Sequence, residues 1–275
     1  MKVKKDVVTS RANPLVVAVS KLSEKKERDR SGTFVCDGSK LTFEYIKNCG
    51  SPLHVLVNEK CATRYLPELA ALEDDGTEIE VTLVSDTVFP KLTEQRAPDG
   101  IMCVGEKSRL AYRREKSVGD GFSREERIIM LCSLRDNGNV GTVVRTALAL
   151  GYDRVILSAD CADIFAPKTL RASMGAVFCI KTNIVDDTAK SVEELRRSGR
   201  RVFAAELRAD SVSLDGVELN AGDVFVIGNE GHGIPLDVSM ACDESVFIPI
   251  SPLSESLNAA SAATILMWQQ RTSTK

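Results

Sequence analysis

"RIIMLCSLRDNGNVGTVVRTALALGYDRVILSA", residues 127–159, places an apolar run, a glycine-bearing polar turn, a helical pattern and a second apolar run in succession. "RIIMLCSL" and "RVILSA" are short, apolar and rich in β-branched residues, as strands buried on both faces are. Between them Val140, Val143, Val144, Ala147 and Leu148 share one helical face. Asn139 stands where an N-cap belongs, just before Val140. Arg145 lies about 140° around the helix from Val140, so it leaves the core face and can point over the strand ends. The turn resembles a phosphate loop only superficially. It lacks the P-loop lysine, and its glycines are not spaced as in a dinucleotide fingerprint.

The alternation continues toward the C-terminus. "DIFAPKTLRAS" reads as a helix, "AVFCIKT" as a strand and "AKSVEELRRSG" as a helix. "RVFAAEL", "DVFVIG" and "SVFIPI" read as strands, the last ending at Pro249, and "ESLNAASAATILMWQQ" as the final helix. Apolar strands alternating with helices predict a parallel sheet covered on both faces. Toward the N-terminus, "GTFVCDG", "LHVLVNE", "EVTLVSD" and "GIMCVGE" read as strands, with "SKLTFEYIKNC" as a helix. These form a smaller α/β domain. Residues 107–126 break the apolar periodicity, are charged and carry Gly119 and Gly121. The reading is therefore an N-terminal domain over 1–106, a charged linker over 107–126 and a C-terminal domain over 127–275.

The chain has 275 residues and a formal net charge of −3, with 43% hydrophobic and 27% charged residues. This is ordinary for a globular protein and argues against one that coats nucleic acid indiscriminately. Two stretches are locally basic, residues 2–30 and 107–127. No apolar stretch suits a membrane span, and the basic N-terminus has no apolar signal core. Eight cysteines without a C-x-x-C pair predict neither disulfides nor zinc and fit a reducing cytoplasm. The two histidines, His54 and His232, have no metal partner at ligand spacing, so no metal is expected.

In parallel sheets, ligands bind in loops beyond the carboxyl ends of the strands. Two further loops carry chemistry there. "VFVIGNEGHGIP", residues 224–235, runs an apolar strand into Gly228, Gly231 and Gly233, with Glu230 and His232 between them. Such a turn lets backbone approach a ligand and supplies N–H donors. "IPISPLSESLNAASAATILMWQQ", residues 248–270, carries Ser251, Ser254, Ser256 and Asn258 before a small-residue helix start. Ser256 and Asn258 are hydrogen-bonding groups at that start, and either could cap it.

Together "NVGTVVRTA", "GNEGHGIP" and "IPISPLSESLNAASAA" resemble motifs one to three of the SpoU (TrmH-like) RNA ribose 2′-O-methyltransferases, a branch of the SPOUT superfamily. The resemblance covers residues 127–270. It departs at Asn137, where proline is frequent, and at Pro252, near which glycine is frequent. The stretch "VTSRANPLVVAVSKL…SGTFVCDGSKL" resembles the ribosomal-protein-like RNA-binding extension of many members, with Asp37 as its acidic residue before glycine.

The resemblance implies a C-terminal SPOUT domain tied in a trefoil knot and S-adenosylmethionine as cofactor. It implies cofactor contacts around Gly228, Asn229, Gly231, Ile248, Ile250 and Leu257. It makes Arg145 the base, with Asn139, Glu230, Ser256 and Asn258 ordering the site. Because a guanidinium is a poor proton acceptor, the alternative role for Arg145 is a bidentate phosphate clamp. Arg11, Asn13, Lys21 and Arg145 are the expected RNA contacts. The expected partners are RNA, ribosomal in preference to transfer RNA, and a second copy of the chain. The competing readings are a catalytically silent RNA-binding assembly factor and a Rossmann-type methyltransferase. The second would need a glycine-rich loop directly after its first strand, and none is present.

Overall fold

A computed structural model describes residues 1–72, 77–119 and 122–274; Gly121, within the segment read as a linker, lies outside them. Along the chain come β1 (Lys2–Val3), α1 (Pro14–Lys21), α2 (Lys25–Ser31), β2 (Thr33–Asp37) and α3 (Ser39–Cys49). Next are β3 (His54–Asn58), α4 (Ala62–Ala70), β4 (Glu80–Val84), β5 (Ile101–Glu106), β6 (Tyr112–Glu115) and β7 (Ile128–Leu131). These precede α5 (Asn137–Ala149), β8 (Arg154–Ser158), α6 (Pro167–Ser173), β9 (Lys181–Val185), α7 (Thr188–Arg197) and β10 (Val202–Ala205). The last are β11 (Val212–Ser213), β12 (Val224–Ile227), α8 (Leu236–Ala241), β13 (Glu244–Phe247) and α9 (Ala259–Ser273).

The chain divides into two units, one of Met1–Leu110 with Phe165–Cys179 and one of Ala111–Ile164 with Ile180–Lys275. The first holds a five-stranded sheet in the order β1-β4-β3-β5-β2. In it β4 is parallel to β1 and β3, whereas β5 is antiparallel to β3 and β2. The segment 165–179 completes this unit's core, in contrast to a simple division near residue 106. Phe165 stacks on Phe34 at 5.0 Å, and Phe178 meets Tyr45 edge-on at 5.5 Å. Each such pair adds about 0.5–1.5 kcal/mol beyond its burial. On α6, Arg171 reaches the buried Asp37 carboxylate at 3.5 Å, and the Thr93 hydroxyl donates to the same oxygen at 2.7 Å.

These contacts also explain a misread strand. Ala176–Phe178 is apolar because it is buried in that core, not because it is extended. Residues Ala176–Phe178 form a 3-10 turn after left-handed Met174 and Gly175, and the strand begins only at Lys181.

The second unit holds eight strands in the order β11-β13-β10-β12-β7-β8-β9-β6. Every pairing is parallel, as the alternation predicted. The central strands β7 and β12 are buried at every residue. Residues 112–115, read as linker, form the edge strand β6, since paired with β9 their backbone gains a ladder that charge patterning does not reveal. Within α5, Val140, Val143, Val144 and Ala147 are buried, but Leu148 is exposed. The helix also starts earlier than its apolar pattern. Its N-cap is Asp136, whose carboxylate accepts from the Asn139 N–H at 2.8 Å, and Asn139 lies in the first turn. A carboxylate at that end also meets the positive pole of the helix.

α9 packs against α5 and is anchored by the fully buried Gln270. Its amide nitrogen donates to the carbonyls of Asn220 and Asp223, both at 2.8 Å, and of Ala221 at 3.2 Å. The Tyr152 hydroxyl donates to its oxygen. Among the described residues no helix is long and apolar enough to cross a membrane. All eight cysteines are free.

Candidate active site

Parallel pairing brings three strand ends level. Leu131 of β7 is opposite Ile227 of β12, and Ile227 is opposite Ala205 of β10. The residues that follow these positions therefore share one edge of the sheet. β13 stops at Phe247, two residues before Pro249, which has no N–H to continue a ladder. Ile248–Leu257 is thereby released to turn across the strand ends before α9.

A cleft of about 500 Å³ opens there, walled by the ends of β10, β12 and β13 and by the segment leading to α9. Gly228, Asn229, Ile248, Ile250 and Leu257 line it, as do Glu230 and Ser256; Gly231 does not. Gly228 is required by a close approach. A Cβ there would lie 2.6 Å from the carbonyl carbon of Gly233 and 2.7 Å from the nitrogen of Ile234, both backbone atoms. The turn is closed by paired backbone bonds between Asn229 and Gly233, at 2.9 and 3.0 Å, with Gly233 left-handed at φ 68°.

The Asn229 side chain is spent within the protein. Its oxygen accepts the N–H groups of Gly231 at 2.9 Å and His232 at 3.2 Å, and its nitrogen donates to the Ser133 carbonyl at 3.0 Å. Ser133 is one of two non-glycine residues with positive φ among the described residues, at 55°. Its own N–H donates to the Ser158 hydroxyl at 2.8 Å. Thus the second loop is tied to the end of β7, directly ahead of the first loop.

Asn139, Glu230 and Asn258 meet in a one-directional relay. The Asn258 oxygen caps α9, accepting from Ala260 N–H at 2.9 Å and Ser261 N–H at 3.2 Å. This fixes the amide so that its nitrogen donates to the Asn139 oxygen at 3.0 Å. The Asn139 nitrogen must then face outward, and it donates to the Glu230 carboxylate. Three residues from three loops are joined with every amide orientation determined.

Arg145 stands apart from this relay. It is exposed on α5, and no hydrogen bond or ion pair holds it among the described residues. In the first unit the Asn13 side chain is engaged as the N-cap of α1, accepting from Leu15 N–H at 2.9 Å. Arg11 donates to the Thr87 carbonyl at 3.2 Å, and Lys21 is exposed at the end of α1. No group of three or more potential metal ligands occurs among the described residues.

Sequence reasoning missed Ser133, Asp136 and Glu206. A left-handed serine leaves no trace in the sequence. Asp136 precedes the helix by one residue and was legible as a cap. Glu206, directly after the buried β10, had the signal of a carboxylate at the carboxyl end of a parallel strand.

The cleft fits an S-adenosyl cofactor in size and chemistry. Its volume is within the range of small-molecule sites, and its walls combine aliphatic side chains with exposed backbone at the glycine turn.

Comparison with known proteins agrees with this geometry. The model of the SpoU rRNA Methylase family matches residues 126–268, and that of the MRM3-like substrate binding domain matches residues 13–103. The 23S rRNA (guanosine(2553)-2′-O)-methyltransferase RlmP of Bacillus subtilis is 30% identical over 266 residues, covering 96% of this chain and 98% of the relative. An rRNA methyltransferase from Sinorhizobium meliloti superposes with a TM-score of 0.82 at 27% identity, covering 99% of this chain and 98% of that one. Its AdoMet-bound form gives 0.80 at 27% identity, covering 98% of each chain. With family motifs, relay and cleft on the same strand ends, the chain belongs to the SpoU rRNA methylase family.

Proposed function

We propose that this SpoU-family enzyme methylates a ribose 2′-hydroxyl of ribosomal RNA, using S-adenosylmethionine bound in the cleft at the ends of β10, β12 and β13. The relay Asn258–Asn139–Glu230 carries the reading, because Glu230 belongs both to the relay and to the cleft wall. It sets fixed polar groups beside the place where a cofactor would sit. When bound, S-adenosylmethionine supplies an electrophilic methyl group and a neutral leaving group. The protein's part is alignment and proton removal. Backbone around Gly228, Ile248 and Leu257 holds the cofactor. Asn139, Glu230, Ser256 and Asn258 orient the ribose. Arg145, free on α5, pins the adjoining phosphate by a bidentate pair and stabilises the attacking oxygen while its proton passes to solvent water.

Ribosomal RNA is favoured over transfer RNA by the B. subtilis relative and by the match of residues 13–103 to a substrate binding domain. In this reading the first unit selects RNA, with Arg11 and Lys21 at phosphates and Asn13 holding the start of α1. We read the second unit as tied in the trefoil knot that the family resemblance implies; the segment from β13 to α9, which crosses the ends of β10 and β12, supports this reading. We also read it as a homodimer. Leu148 on α5 and Ile265 and Trp268 on α9 are 36%, 38% and 55% exposed, an apolar surface suited to a two-fold partner. The cytoplasm, where ribosomal RNA is found, suits eight free thiols. The test uses RNA from cells lacking the enzyme. Labelled methyl should enter ribosomal RNA and not transfer RNA, with chelator present; labelling of transfer RNA alone would overturn the substrate assignment.

A further inference from the structure

Glu206 is a carboxylate that the relay does not use. It follows the last residue of β10, and its backbone N–H donates to the Val246 carbonyl at 3.0 Å. Through Ala205, which pairs with Ile227, it is level with Gly228 on the neighbouring strand. It lines the same cleft, beside the apolar side chains of Ile227, Val246, Ile248 and Leu257. Its side chain is only 16% exposed.

One of its oxygens is heavily engaged. Oε1 accepts the hydroxyls of Ser239 and, at 3.0 Å, Ser245, and Arg208 Nη1 lies 3.7 Å away. Arg208 also donates to the Ser239 hydroxyl at 2.9 Å. Oε2 has no hydrogen-bond partner among the described residues. Placing a carboxylate against apolar walls is costly. Fixing one oxygen so firmly while leaving the other open is the pattern of a group preorganised for a ligand's donor.

We propose that Glu206 recognises the cofactor, its Oε2 accepting hydrogen bonds from the ribose hydroxyls of the S-adenosyl group. This rests on the methyltransferase reading above. The reacting methyl must face Glu230, two residues beyond Gly228, and Gly228 is one strand from Glu206, about 4.8 Å in the sheet direction. The ribose is bonded through one methylene to the sulfur, so its hydroxyls fall within such a span. The adenine amine is at the far end of the nucleoside. The amino-acid tail carries an ammonium beside its own carboxylate, so Glu206 would meet attraction and repulsion together there, and a tail-free probe separates that site from the ribose.

The test is calorimetric titration of the full chain and of Glu206→Gln. Glutamine keeps the shape and an acceptor for the two serines but turns an amide donor toward the ligand. The probes are S-adenosylhomocysteine, 5′-methylthioadenosine, which lacks the tail, and its 2′,3′-dideoxy form. The substitution should weaken the first two by about tenfold or more, as for a lost charge-assisted hydrogen bond. It should leave the dideoxy compound, already weaker with the native chain, unchanged. An unaffected 5′-methylthioadenosine would assign Glu206 to the tail and overturn the proposal. Equal weakening of all three probes would make Glu206 a purely structural tie and overturn it as well. Unchanged affinity for every probe would remove Glu206 from recognition altogether. Failure of the native chain to bind S-adenosylhomocysteine would instead refute the methyltransferase reading itself.

Discussion

Asn258 does two jobs with the two ends of one amide, and a single substitution separates them. Its oxygen caps α9 and its nitrogen feeds the relay. Aspartate caps helices as well as asparagine does, and its charge suits the helix N-terminus. Asn258→Asp should therefore keep stability within about 0.5 kcal/mol of the native chain. The relay fares differently. Asn139 would stand between two carboxylates, those of residue 258 and Glu230, with only one donor end to offer. Whichever way its amide turns, one contact becomes oxygen against oxygen. In the resting protein these groups are exposed and water meets the displaced oxygen, but with a ribose seated over the relay the misplaced contact costs about 1–3 kcal/mol, which corresponds to a fall in methyl transfer of roughly 5- to 150-fold. Asn258→Ala loses the cap too. It should lower stability by about 1 kcal/mol, or roughly 2–4 °C in melting temperature. Calorimetric melting gives the first quantity and initial rates of tritiated-methyl transfer to RNA give the second. An Asn258→Asp chain with native melting and native rate would refute the role assigned to the relay. One that melts as Asn258→Ala does would refute the account of the cap.

Further outcomes follow from Arg145, Gln270 and the cysteines. Arg145→Ala, which removes no contact within the protein, should melt within about 0.5 kcal/mol of native yet lose about 100-fold or more in methyl transfer. Arg145→Lys keeps the charge but not the planar fork, and should bind RNA more weakly if the clamp is its role. Gln270→Leu strands three carbonyls and the Tyr152 hydroxyl, so a loss of roughly 3 kcal/mol is expected in denaturant unfolding; a loss below 1 kcal/mol would contradict the anchoring of α9. In thiol labelling of the native chain at pH 8, exposed Cys179 should react first. Cys132 and Cys242, whose thiols burial pushes to about 12, should react only on unfolding.

Much of this is legible in the sequence. The parallel sheet followed from "RIIMLCSL", "RVILSA" and "DVFVIG", because strands buried on both faces leave continuous apolar runs. The three loops with chemistry followed from the rule that parallel sheets bind ligands at their carboxyl ends. Local patterning could not say which apolar runs serve which core. "AVFCIKT" looks like one strand, but its Phe178 packs in the core of the first unit against Phe34 and Tyr45. Edge strand β6 is charged because its exposed side chains face water, so it read as linker. The cap of α5 was misplaced to Asn139 because the apolar pattern begins three residues after the helix does. In the site, residue types pointed to Asn139, Glu230 and Asn258, but only the fold shows their amides pointing in one direction. It also turns the Asn229 side chain away from ligand duty, toward Ser133. Arg145 is the converse case: helical geometry alone put it off the core face, and it is exposed.

The central claim is tested most directly by the product. Ribosomal RNA from cells lacking this enzyme would be incubated with the purified chain and S-adenosylmethionine carrying a labelled methyl group, then digested to nucleosides and resolved by mass spectrometry. The account predicts label in a 2′-O-methylated nucleoside, with chelator making no difference and Asn258→Asp slowing its appearance. Label on a base, or no transfer to RNA while S-adenosylhomocysteine still binds, would contradict it.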